Sequence, residues 1–132
     1  NWDTAHTATN LETETFEKVS LNAVTGKVIV VASARTKINE CQDLILAPTV
    51  WAENTITGTA LGIKDIALKD NGLLIIVDGT TDTYKIDSNQ LNISGTYAVT
   101  IDESLSHAID CLGVSYSTVY AGGQTSVSVR TA

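Results

Sequence analysis

Short β-branched runs, broken about every ten residues by Gly, Asn, Asp and Ser, leave this chain little to fold into except strands. Val28 to Ala32 and Leu73 to Val77 are continuously apolar but only strand-sized. Thr83-Tyr84-Lys85-Ile86-Asp87 and the stretch from Leu112 to Tyr120 alternate with period two. Only 17% of the 132 residues are charged, below the usual quarter, and Thr, Ser and Asn take the vacated positions. β-Branched residues suit a pleated, half-buried surface, whereas Ser and Asn suit turns. The expectation is an all-β fold, an antiparallel β-sandwich (jelly-roll-like) or barrel of about eight to ten short strands with an extended N-terminal arm.

Residues 1–21 read as that arm, a donor-strand candidate, and residues 22–132 as one sandwich domain, because the length leaves no room for a second core. Leu11 to Leu21 alternates as a strand with Phe16 out of phase, which calls for a bulge. Lys27 to Ala34 reads as a core strand buried on both faces. Asp43 to Trp51 repeats that pattern around Leu44-Ile45-Leu46, with Pro48 placing it at an edge. Asn54 to Ile63 and Lys64 to Lys69 are weaker strands. Asp70-Asn71-Gly72 signals a type I′ hairpin into Leu73–Val77. A second turn at Asp78 to Thr81 leads to a strand with Tyr84 and Ile86 inward. Leu91 to Asp102 reads as one long strand bent at Gly95. Ser104 to Ile109 is the sole helical candidate, with a Ser cap, and Thr125 to Thr131 closes the chain with Val127 and Val129 inward.

The chemistry a sequence can advertise is sparse here. There are two histidines, His6 and His107, and no Gly-x-Ser-x-Gly elbow, so a catalytic triad is not expected. His107, Cys111 and Cys41 could be arranged around zinc, but without a Cys-x-x-Cys pair a disulfide between Cys41 and Cys111 is the stronger expectation. Closing a loop of about 70 residues would stabilise by about 4 kcal/mol in the chain-entropy model. Asp65, Asp70, Asp78, Asp82, Asp87, Asp102 and Glu103 fall in or near turns where calcium ligands gather, with Asp78 and Asp82 the foremost positions, although no EF-hand loop is present. Trp51 and Tyr120 are the aromatics open to carbohydrate, while Tyr84, Tyr97 and Tyr116 are phased as core. Asn92-Ile93-Ser94 is an N-glycosylation sequon.

The formal charge is −7, and Lys27, Arg35 and Lys37 form the densest basic group, so neutralisation of a nucleic-acid backbone is disfavoured. No apolar run reaches the roughly 18 residues of a membrane span. The chain begins at Asn1 and contains no methionine, which fits a removed signal or pro-segment and an oxidising destination. No catalytic set, metal or cofactor emerges. The expectation is therefore a non-enzymatic, self-assembling subunit of an extracellular filament, joined to neighbouring copies by β-strand addition through Trp2, Leu11, Phe16 and Val19. The arm and cysteine pair resemble those of secreted fibre subunits that donate a strand to the next copy. Leu112-Gly113-Val114, Gly122-Gly123 and Val127-Ser128-Val129-Arg130 resemble the closing strands of small tailed-phage capsid decoration proteins, which implies the alternative of a virion component docked on a viral shell. A carbohydrate-binding module is the second alternative.

Overall fold

The computed structural model describes residues 15–47 and 50–131, so Trp2, His6, Leu11 and Pro48 lie outside the described residues. The strands are β1 (Phe16–Leu21), β2 (Val28–Ala32), β3 (Lys37–Cys41), β4 (Trp51–Thr57), β5 (Asp65–Leu68), β6 (Leu73–Val77), β7 (Asp82–Asp87), β8 (Gly95–Ala98), β9 (Thr100–Ser104), β10 (Cys111–Ser115), β11 (Thr118–Gly122) and β12 (Val127–Arg130). They form a five-stranded sheet in the order β1-β2-β3-β4-β8, a four-stranded sheet β5-β6-β7-β9 and a three-stranded sheet β10-β11-β12. All pairings are antiparallel except β4 with β8. The all-β, sandwich-like expectation holds, with no closed barrel and with more strands than anticipated.

The layering follows from the pleat. Successive residues of β6 point to opposite faces, and both faces are apolar. Leu74 and Ile76 enter the main core with Ile66, Leu68, Tyr84 and Ile86, against Ile29, Val31, Ile38 and Ile56 of the five-stranded sheet. Ile75 turns the other way, meeting Ala67 and Val119, and Val77 meets Ile109 and Ala121. The four-stranded sheet is thus the middle layer, with the three-stranded sheet covering its second face.

Local contacts close the ends of the sandwich. On one side the Ser20 hydroxyl accepts from the Leu68 amide at 2.9 Å, and the Asn22 side-chain amide donates to the carbonyls of Lys69 and Asp70. On the other, the chain crosses from β8 to β9 through buried Val99, whose amide bonds Thr57 O. Gly58 makes this crossing possible: its φ is +98°, and a Cβ there would sit 2.9 Å from Val99 O.

Several expectations are corrected. The hairpin at Asp70-Asn71-Gly72 forms, but only Gly72 takes a positive φ (87°); Gly72 N bonds Lys69 O and Lys69 N bonds Leu73 O. That is a three-residue loop closed by a glycine bulge rather than a type I′ turn. Residues 44–46 form a turn, not a strand, because the Asp43 carboxylate accepts from the amides of Ile45 and Leu46. Lys37–Cys41 is a strand that the sequence hid. Leu91 to Asp102 is split among a 3₁₀ turn (Ser88–Asn92), β8 and β9. Ser104 ends β9, and residues 105–110 are irregular rather than helical. Tyr116 is exposed, at the tip of a tight turn with φ 53°, where Ser115 pairs Thr118. Val127 and Val129 point outward, at 69% and 57% exposure, while Ser128 and Arg130 face the middle layer.

Leu74→Ala is expected to cost about 2–5 kcal/mol in denaturant unfolding, because it opens a cavity between two sheets. Val127→Ala should stay within about 0.5 kcal/mol. Comparable losses at the two positions would contradict the layering.

Candidate functional site

Asp78 begins as a calcium candidate and ends as a hub of protein hydrogen bonds. One carboxylate oxygen accepts from the Thr80 amide and hydroxyl, the other from the Leu61 amide and the Tyr84 hydroxyl. Tyr84 in turn accepts from the Ala60 amide at 3.2 Å. Burial pushes the Asp78 carboxyl up, but the four donors outweigh it and leave it below its ordinary value. Asp82 instead accepts from the Ser104 hydroxyl. Among the described residues no three His, Cys, Asp or Glu side chains gather closely enough to hold a metal ion.

The expected disulfide is absent: both cysteines are free. Cys41 ends β3 on the outward face of the five-stranded sheet, buried with Val28, Val30 and Trp51. Cys111 opens β10 in the three-stranded sheet and is exposed. The middle layer stands between them, and this separation also removes the His107–Cys111–Cys41 metal arrangement.

His107 has a partner that spacing could not reveal. One ring nitrogen lies 3.0 Å from Ala108 O and the other 2.8 Å from the Ser128 hydroxyl. A carbonyl can only accept, so Nδ1 carries the proton and Nε2 accepts from Ser128. That is the tautomer a serine–histidine pair needs for nucleophilic attack. The geometry favours a clip instead. Ser128 lines a 30 Å³ space between the sheets with Leu112, Val119 and Arg130, whereas His107 lines a separate open hollow with Asp110 and Gln124.

The aromatics divide differently from expectation. Trp51 is buried and its ring stacks on Phe16 at 6.4 Å, so it offers no sugar platform. Tyr120 is exposed, as anticipated. Phe16 and Val19 of the arm both lie in β1, which pairs with the chain's own β2 through a bulge after Phe16. The sequon residue Asn92 closes the 3₁₀ turn rather than lying inside a strand.

Two charged clusters went unread in the sequence. Asp102 receives both Nε and Nη2 of Arg130, at 2.6 and 3.1 Å, and Lys85 at 3.4 Å, tying β12 to β9 and β7. These donors, Arg130 first, hold the Asp102 carboxyl below its ordinary value. At the opposite end of the main core, Lys27 and Glu40 form an ion pair at 3.2 Å with side chains 6% and 0% exposed. Gln42 also donates to the paired Glu40 oxygen. Burial pushes the Glu40 carboxyl up. The only sequence signal for either cluster is an isolated charge flanked by strand residues.

No protein-family model and no curated protein matches this chain.

Asp78→Asn should lower the unfolding midpoint at neutral pH. Since the folded-state value is depressed, the native advantage is complete above the unfolded carboxylate range and vanishes as pH falls through the folded value. The difference between variant and parent should therefore shrink in acid; a constant difference would refute the assignment. In the native protein one thiol, Cys111, should be alkylated quickly and Cys41 only after unfolding, as peptide mass mapping would show.

Proposed function

We propose that this protein is a non-enzymatic structural subunit that assembles into an extracellular filament, each copy joined to the next by β-strand addition of its N-terminal arm. The observation that carries this reading is the exposed rim of the three-stranded sheet. Among the described strands β12 pairs with β11 alone, so within the described residues its other side is an unpaired edge. Its outward side chains, Val127 and Val129, are apolar, and Tyr120 stands beside Val129 across the strand pair. An open edge offers unpaired N–H and C=O groups to an incoming strand, and apolar neighbours give that strand side chains to pack on. Each backbone hydrogen bond contributes about 1 kcal/mol net, so burial of side chains must supply much of the affinity.

Because β1 is held in its own sheet, the donated segment is the part of the arm before Phe16, where the sequence places Trp2 and Leu11. The net charge of −7 keeps unassembled copies apart until the arm engages. Docking on a viral shell would use the same edge without polymerisation.

Deleting residues 1–14 should leave the thermal melt unchanged while abolishing fibres seen by electron microscopy, and the truncated protein should sediment as a monomer. Val129→Lys in the full chain should slow elongation by charging the edge. Fibres from the truncated protein would sink strand addition by the arm. Soluble, non-polymerising full-length protein that binds a preformed shell would replace the filament with the virion reading.

A further inference from the structure

The buried Lys27–Glu40 pair has a third member. Lys27 lies just before β2 and is only 5% exposed. Its Nζ sits 3.4 Å from the side-chain oxygen of Asn89, besides the 3.2 Å contact with Glu40 and contacts of 3.3–3.4 Å with Ser88 Oγ and O. Asn89 belongs to the 3₁₀ turn after β7, where the Asp87 carboxylate accepts from its backbone N–H at 3.0 Å. The second Glu40 oxygen is buried without a hydrogen-bond partner. We propose that Lys27 and Asn89 join in an intramolecular isopeptide bond, with Glu40, 3.2 Å from the lysine nitrogen, taking the proton of the Lys27 ammonium.

The chemistry follows from the burial of the Lys27–Glu40 pair, with Asn89 at its exposed rim. A charged pair removed from water loses more solvation than it regains unless every lone pair is satisfied, and here one is not. Moving the ammonium proton to Glu40 leaves a neutral amine and a neutral acid, both better suited to the site. The neutral amine is a nucleophile whose nitrogen lies 3.4 Å from the oxygen bonded to the Asn89 amide carbon. Lys27 Nζ attacks Cγ, the new C–N bond forms, and the Cγ–Nδ2 bond breaks. The lysine nitrogen sheds two protons, its ammonium proton to Glu40 and a second as the amide forms. Both end on Nδ2, which departs as ammonium, so Glu40 returns to the carboxylate of the ion pair and neither oxidant nor cofactor enters. An open hollow of 200 Å³, lined by Lys27, Asn89, Gln42 and Asn71, gives ammonia a way out.

The arrangement is selective. Among the described residues Lys27 Nζ has no hydrogen bond to another side-chain amide: Gln42 donates to Glu40 instead. The product links the residue entering β2 of the five-stranded sheet to the turn leaving β7 of the middle sheet, 62 positions apart. It is a covalent clasp across the end of the sandwich and does the task the unpaired cysteines do not. It holds whether or not the chain polymerises.

Intact mass of the denatured full-length protein tests the proposal. The expected mass is one ammonia below the sequence mass, trypsin should fail to cut after Lys27, and a branched peptide should join the Lys27 and Asn89 segments. Asn89→Ala, at an exposed turn position, should restore the full sequence mass and the cut. Glu40→Gln should do the same. A parent at full mass with normal cleavage after Lys27 overturns the proposal. So does an ammonia loss that maps to Asn71-Gly72 or persists in Asn89→Ala, or a covalent ladder between copies.

Discussion

The strand Leu73–Val77 is apolar on both faces, and the architecture answers that constraint. A strand with Leu74 and Ile76 on one side and Ile75 and Val77 on the other cannot lie in a sheet that shows one face to water. Two layers would satisfy only half of it. The three-stranded sheet is therefore required, and its inward row, Leu112, Val114, Val119 and Ala121, is the cover for Ile75, Ala67 and Val77. The small cover does not rest on apolar contact alone: Arg130 on Asp102, His107 on Ser128 and the Leu112 amide on Asp65 pin it at three places.

The main core ends where polar groups are admitted, and three of them reach distant parts of the chain. Asn22 holds the β5–β6 hairpin, Asn54 holds Leu91 O at 2.8 Å, and Lys27 holds Glu40. Removing one member of a buried pair costs about 3–5 kcal/mol, because its partner is then left charged and unsolvated. These contacts fix the register of the two sheets more firmly than interchangeable Ile and Val side chains can, since a slip of one residue would turn Glu40 outward and Asn39 inward.

That dependence on distant partners explains what the sequence could disclose. Val28–Ala32 and Leu73–Val77 were legible because burial on two faces writes itself as an unbroken apolar run. Lys37-Ile38-Asn39-Glu40-Cys41 was not, since its polar Asn39 and Glu40 are buried, and the partner of Glu40 is Lys27, thirteen positions away. Leu44-Ile45-Leu46 misled in the opposite sense, for the Asp43 carboxylate caps the backbone locally and leaves Ile45 and Leu46 exposed. The Leu112 to Tyr120 alternation concealed a hairpin: the two-residue turn reverses the period-two phase, so Leu112 and Val114 face inward before it and Val119 and Ala121 after it, and Tyr116 supplied the positive φ usually signalled by Gly or Asn. The candidate sites suffered most: the carboxylates of Asp78 and Asp102 were visible as letters, yet their roles are set by Thr80, Tyr84 and Arg130.

The expectation of an assembling arm is narrowed by the same reasoning. Residues Phe16–Leu21 serve the chain's own sheet, and Ser20 is buried against Leu68, so withdrawing this strand for a neighbour would unseat the sandwich edge. Any segment given away must precede it. A subunit pulled through such a segment transmits tension into β1 and then, through the turn at Asn22 to Gly26, into Lys27. Backbone hydrogen bonds of β1 to β2 would meet that tension first, and beyond them the route reaches Lys27, whose amine contacts both the Glu40 carboxylate and the Asn89 side-chain amide. The proposed clasp lies where the force would otherwise begin to separate the five-stranded sheet from the middle layer, which gives the buried lysine a reason to be there that packing alone does not.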